Sequence, residues 1–287
     1  MRNFASSVLT RLKRIMEKKR ILYVSQEITP YLPESPISKL SQDLPTLMNE
    51  AGHEVRIFMP RFGCINERRH QLHEVIRLSG MNLIVNDMDQ PLIIKVASIP
   101  TSRIQVYFID NEEYFKRKAT LTDDKGDLFA DNDERSLFFC RGVLETVKKL
   151  GWKPDVIHAH GWMTSMLPIY LKKNFADDPI FEDSKLVYSL YNNEFSGSLS
   201  EDMAKKIKLN EGEKCVETIS TPDFVNLNKI AIEHSDAVTI GTEGVSEDLK
   251  AHATDRGLPL LDVVSDEERS QAYQEFYQEI LVEESVA

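Results

Sequence analysis

Two histidines and a tryptophan lie close together in His158-Ala-His160-Gly-Trp162, at the end of an apolar run. The pair flanks one residue, and its side chains are read as leaving the strand on opposite faces. That arrangement is poor for chelating one metal ion and suits one structural and one functional histidine. A second reading stands beside it: His158 packs in the core and His160 caps the following helix. Further along, Tyr191-Asn-Asn-Glu-Phe-Ser-Gly is rich in amides. Such a loop can hydrogen-bond a sugar or polyol, or be an ordinary Asx-turn loop. In Phe129-Ala-Asp-Asn-Asp-Glu-Arg, acids stand before and at a helix start. Asp131 or Asn132 is expected to cap that helix, where negative charge meets the positive end of the backbone dipole.

Other chemistries are argued against. Residues 26–36 carry three prolines, Glu27, Glu34 and no glycine. Prolines remove N–H donors and carboxylates repel phosphate, so this loop is not expected to hold a nucleotide diphosphate. No glycine-rich loop, Ser-His-Asp order or zinc spacing stands elsewhere. Neither a metal nor a cofactor is expected. The three cysteines, Cys64, Cys140 and Cys215, are far apart, which suggests a reducing compartment and a cytoplasmic protein. Cys140 lies in an apolar run and is expected in the core.

These residues need a scaffold, and alternating strand and helix patterns supply one. Short β-branched runs begin at Arg20, His53, Lys153, Lys185 and Ser235. Helical spacing covers 37–52, with Gly52 as its C-terminal stop, then 132–150 closed by Gly151, 162–173, 223–235, 243–251 and an amphipathic tail at 265–281. Between 73 and 109 the pattern changes to three strand-like runs, 73–78, 92–98 and 105–109, with turn signals at Asn86-Asp87 and after Pro100. The fold class is therefore α/β: a Rossmann-like parallel sheet with helices on both faces and a β-hairpin excursion. Ligands in such folds bind beyond the carboxyl ends of the strands, here 26–36, 158–164 and 191–197.

The chain has 287 residues, 41% hydrophobic and 28% charged, with a net charge of −11. This acidity argues against nucleic acid and against anionic membranes as partners. Residues 1–19 are rich in Lys and Arg, with Glu17 their only acid. They are read as a disordered or overextended start, with Met16 as the initiator. Residues 20–260 form the main domain and 261–287 a C-terminal helix and tail.

The ordered set Ile21-Leu-Tyr-Val-Ser-Gln-Glu, Ala51-Gly-His-Glu-Val-Arg-Ile-Phe-Met-Pro-Arg, Tyr107-Phe-Ile-Asp, Asp131-Asn-Asp-Glu-Arg, Trp152-Lys-Pro-Asp-Val-Ile-His-Ala-His-Gly-Trp and Ser235-Asp-Ala-Val-Thr resembles glycosyltransferase family 5, the bacterial glycogen and plant starch synthases. The resemblance implies the N-terminal half of a two-domain (GT-B type) enzyme, which moves glucose from ADP-glucose to an α-1,4-glucan with retention. It implies active-site positions at His160, Asp131 and Asn192; His160 and Asp131 are the candidate catalytic residues, and Asn192, with Gln26, Trp162 and Tyr191 beside it, the candidate substrate-binding residues. Several departures accompany it. The family's Lys-Thr-Gly-Gly-Leu falls on Pro33-Glu-Ser-Pro-Ile. The acid after the second histidine is Gly161, and the histidine before Asn192 is Tyr191. The chain also ends near where the family's C-terminal domain begins. The expectation is a synthase-like protein inactive alone, with three alternatives: a subunit of a split glucosyltransferase, a module binding α-glucan or a partner, or a different enzyme using the strand-end pocket of His160, Asp131 and Asn192. The tail helix is expected to cover the cleft face or to mediate homo-oligomer formation.

Overall fold

The computed structural model describes residues 18–100, 102–207 and 219–282. Among them, in chain order, stand β1 (Arg20–Ser25), α1 (Pro36–Glu50), β2 (Glu54–Pro60), β3 (His73–Glu74), β4 (Met81–Val85), β5 (Met88–Ser98) and β6 (Gln105–Asp110). Then follow α2 (Glu112–Phe115), α3 (Asn132–Leu150), β7 (Val156–His160), a 3-10 turn (Trp162–Thr164), α4 (Leu167–Asn174) and β8 (Lys185–Leu190). The remainder is α5 (Met203–Lys206), α6 (Phe224–Glu233), β9 (Ala237–Ile240), α7 (Glu247–Asp255), β10 (Leu260–Leu261) and α8 (Arg269–Val282).

The strands form one twisted sheet in the order β10-β9-β8-β7-β1-β2-β6-β5-β3. Pairing is parallel from β10 to β6, and β5 and β3 join antiparallel. β4 folds back on β5 through Asn86 and Asp87, both with positive φ (49° and 58°), the two-residue turn that matches strand twist. Because Ile93 pairs with Asp110, residues 88–92 project past the carboxyl end of β6. The β4–β5 hairpin therefore stands on the same edge as the strand ends that bind ligands in such folds.

Connections set the two faces. The step β1 to β2 runs one way across the sheet, and the steps from β6 to β7, β8, β9 and β10 run the other way. Right-handed crossovers then send α1 to one face and α3, α4, α6 and α7 to the other. The packing agrees: α3 meets α4, α4 meets α6, and α6 meets α7, whereas α1 meets α8.

Local chemistry explains where these elements begin and end. Ser35 accepts from Ser38 N while Ser38 Oγ accepts from Ser35 N, a reciprocal cap on α1, and Pro36 occupies its first turn. Acids open α3, lysines close it, and Gly151 ends it in the left-handed region (φ 61°). Cys140 is fully buried, as expected of its apolar run.

Some expectations need correction. The helix expected over 162–173 splits into the 3-10 turn and α4, with Pro168 in the first turn of α4, where its missing N–H costs no helix bond. The helix expected over 243–251 starts at Glu247, since Gly244 has φ 77°. The strand expected over 73–78 stops at Glu74, where Leu78 N turns back onto Val75 O, and β4 takes its place beside β5. The readings on residues 1–17 and on Cys215 lie outside the described residues.

Candidate functional site at the strand carboxyl edge

The two histidines do not leave β7 on opposite faces. Side chains alternate with period two along a strand, so residues two apart share a face. The rings of His158 and His160 lie 4.1 Å apart at 31°. Both are completely buried. His158 Nδ1 is 2.6 Å from Tyr277 Oη, and its Nε2 is 2.7 Å from Ser189 Oγ. His160 Nδ1 is 2.7 Å from Tyr191 Oη, and its Nε2 is buried without a partner. Burial, with His160 adding repulsion, holds His158 well below the ordinary imidazole range, and burial alone pushes His160 down to about 3. Both rings are neutral at neutral pH. They can orient hydroxyl groups, but they make poor proton donors in bulk exchange.

His160 caps no helix, because the N-cap position of the 3-10 turn belongs to Gly161 (φ 86°). Gln26 explains that glycine. Its Oε1 accepts from Met163 N at 3.2 Å, its Nε2 donates to Glu27 Oε1, and its own N–H reaches His160 O. A Cβ on Gly161 would stand 2.5 Å from Gln26 Oε1. The amide of Gln26 thus fills the space that a side chain at 161 would need. Tyr191 behaves similarly: its ring occupies the position of a Cβ on Gly241. Gln26, His160 and Tyr191 are therefore brought together.

Three other candidates stand apart from them. Trp162 is buried beneath the edge, its ring 4.9 Å from Phe195, which in turn meets Phe224 at 5.7 Å. Asn192 is on the exposed rim, its N–H donating to Thr242 Oγ1 and its amide lying over Gly244. Asp131 occupies the N-cap position of α3 without capping it, because its backbone (φ −100°, ψ 14°) is not the extended form a cap requires. Its carboxylate pairs with Arg117 instead. Asn132 does not cap α3 through its side chain either: its amide donates to Leu121 O and accepts from Arg135 Nη1. The buried Arg135 guanidinium is enclosed by the rings of Phe62, Phe115 and Phe129, at 5.3–5.5 Å.

The first strand end is closed by its own chain. Glu27 Oε2 accepts from Ser35 Oγ at 2.6 Å, directly at the N-terminus of α1. Of the N–H groups at this helix end, that of Ser38 goes to Ser35 Oγ, that of Lys39 to Ser35 O, and Pro36 has none. Tyr23, Ser189, Thr239, Tyr273 and Tyr277 also belong to this neighbourhood, and residue types alone do not single them out. The one available signal is the spacing of Tyr273 and Tyr277, one helical turn apart in the tail.

Comparison with known proteins follows this geometry. Residues 20–259 match the model of the starch synthase catalytic domain. The glycogen synthase of Chlorobium limicola is 37% identical over 238 residues, 82% of this chain and 48% of that protein. That of Chlorobaculum tepidum is 33% identical over 240 residues, 80% of this chain and 47% of that protein. The chain thus spans about half the length of the curated relatives it matches. Among solved structures, the catalytic domain of Starch Synthase IV from Arabidopsis thaliana, bound to ADP and acarbose, superposes with a TM-score of 0.69 at 18% identity, over 87% of this chain and 52% of that one. The fold is shared with it.

Proposed function

We propose that this chain, which belongs to the starch synthase catalytic-domain family, is a synthase-like module that binds α-glucan at the strand carboxyl edge and does not transfer glucose by itself. The observation that carries this reading is the closed N-terminus of α1. Transfer from a nucleotide sugar requires cations and backbone donors around a leaving diphosphate. At this strand end stand a carboxylate, a proline and a self-satisfied cap. Gln26 and Tyr191 are already bonded within the chain, and His160 Nε2 is the polar atom of this cluster left for a sugar hydroxyl.

ADP release from ADP-glucose with glycogen as acceptor tests the proposal, with His160→Ala as control. No release by the purified chain, together with glycogen binding that weakens in the variant, is expected. Release that depends on His160 would overturn it. A second reading, one subunit of a split glucosyltransferase, is favoured by Ile84 and Met88. They are 46% and 62% exposed on the hairpin that projects past the carboxyl edge, where a second polypeptide would dock. In the same assay, that reading expects activity when a donor-binding polypeptide is added, and loss of that activity in Met88→Glu. A Met88→Glu chain as active as the wild type counts against it.

A further inference from the structure

Among the described residues, the right-handed crossovers place no connecting helix on the α1 face over β7, β8 and β9. Helix α8 returns to that face, and its seat is polar as well as apolar. Phe276 and Ile280 are buried, yet so are Tyr273 and Tyr277. Tyr277 Oη lies 2.6 Å from His158 Nδ1 and 3.0 Å from Tyr23 Oη. From His158 the path continues through Nε2 to Ser189 Oγ at 2.7 Å and on to Thr239 Oγ1 at 2.6 Å. Beside it, Tyr191 Oη holds His160 Nδ1, and the His160 ring packs against that of His158 at 4.1 Å. Hydroxyl and imidazole groups from β1, β7, β8, β9 and α8 thus form one buried network.

A neutral imidazole has one N–H and one lone pair. His158 uses both nitrogens, so it must donate at one and accept at the other. The direction of the Tyr277 bond is therefore tied to the direction of the Ser189 bond, and both to the His158 tautomer. His160 is stacked on that ring and bonded to Tyr191. Without the Tyr277 hydroxyl, His158 Nδ1 is left unpaired in the interior, a costly state that the ring relieves by changing tautomer or orientation.

We propose that Tyr277 is a positioning residue for the His160 site. By seating α8 on the sheet it fixes the tautomer of His158 and, through the ring packed against it, the orientation of His160. The site is then held in one hydrogen-bonding pattern only while α8 is in place. What this pattern does for a ligand rests on the glucan-binding reading above; the fixed tautomer does not.

Long-range 1H–15N NMR of the histidine rings in the full chain tests this, with signals assigned by His158→Gln and His160→Gln. In the wild type each ring is expected to show one protonated and one bare nitrogen at separate shifts. In Tyr277→Phe the two shifts of His158 are expected to move toward the average of the tautomers, and those of His160 to change with them. Ser189→Ala breaks the same path on the strand side; the same outcome is expected, and it decides the question if Tyr277→Phe does not fold. Phe276→Leu trims an apolar contact of the same helix but leaves α8 seated through Tyr273, Tyr277 and Ile280, and is expected to leave the shifts in place. Averaged shifts in the wild type, unchanged shifts in Tyr277→Phe or Ser189→Ala, or equal changes in Phe276→Leu would overturn the proposal. Glycogen affinity is expected to fall about twofold in Tyr277→Phe, because averaging over two tautomers leaves about half the population competent. A wild type with fixed tautomers that binds no glycogen overturns the glucan reading and leaves this one standing.

Discussion

Acidification should destabilise this protein well above the range in which carboxylates titrate, and His160 supplies the magnitude. Its ring is buried and ionises near 3, against 6.5 for a free imidazole. Above pH 6.5 neither the folded nor the unfolded chain binds the proton, and the stability from the neutral ring is fully present. Between 6.5 and about 3 the unfolded chain takes up a proton that the folded chain refuses. Stability then falls by about 1.4 kcal/mol per pH unit. From pH 7 to pH 5 the loss from His160 is about 2 kcal/mol. His158 is depressed in the same direction, by burial and then by its neighbour, and adds to the loss. Trp152 and Trp162 are both buried, so their fluorescence follows urea unfolding at each pH. Carboxylates shift both ways: although burial opposes it, the Trp152 bond to Glu54 and the Lys148 bond to Asp178 hold those groups below the usual range, whereas burial raises Asp43 and Asp133, so a variant comparison is needed to isolate His160. His160→Gln should lose about 2 kcal/mol of the pH 7-to-5 difference, whatever its stability at pH 7. Groups common to both proteins drop out of the comparison. Equal pH slopes in wild type and variant would refute the claim that His160 is held neutral in the fold.

Two further outcomes follow from the packing of the carboxyl edge. Gly161→Ala should lower stability by about 1–3 kcal/mol, since its φ of 86° is costly for an L side chain and its Cβ meets Gln26. Adding Gln26→Ala should recover only the steric part, and a urea-denaturation double-mutant cycle showing no coupling would count against the fit described. Lys206→Met should cost about 3 kcal/mol or more, because Lys206 bonds the buried Asp133 at 2.7 Å and Glu134 at 2.8 Å. A thermal midpoint unchanged by that substitution would show that this ion pair does not hold α5 to α3.

Much of this architecture is legible in the sequence, and the failures have identifiable causes. α3 runs over Asn132–Leu150 as its acids, lysines and Gly151 indicate, and β8 over Lys185–Leu190 as its apolar run indicates. Those signals are local. The shifted starts of α4 and α7 come from weighing apolar spacing above Pro168 and Gly244, which are also local and could have been weighed first. The site is less legible. Placing His158 and His160 on opposite faces misapplied the strand period, and the period itself puts them together. The contact between His160 and Tyr191 follows once β7 and β8 are neighbours, because His160 pairs with Ser189, two residues before Tyr191. Tyr277 lies beyond such reasoning, since 119 residues separate it from His158 and only the return of α8 to the α1 face joins them. The capping expected of Asp131 failed for a related reason: Arg117, on another segment, takes its carboxylate.

The departures of this chain from the synthase pattern are mutually compensating rather than independent losses. Where the family carries an acid, Gly161 leaves a space, and Gln26 fills it while satisfying Met163 N. Where the family carries a histidine, Tyr191 packs on Gly241 and reaches His160. Where the family carries glycines that admit phosphate, Ser35, Ser38 and Glu27 close the helix end among themselves. Neutral drift in a disused site would leave cavities and unpaired polar groups, each with its own cost. Here the edge is repacked by side chains of the same chain, and within the Gln26–His158–His160–Tyr191 cluster the unpaired buried atom is His160 Nε2. That atom belongs to a ring held by Tyr191 and packed against His158, so it has one hydrogen bond left to make, and the glucan reading proposed above gives it a sugar hydroxyl as partner.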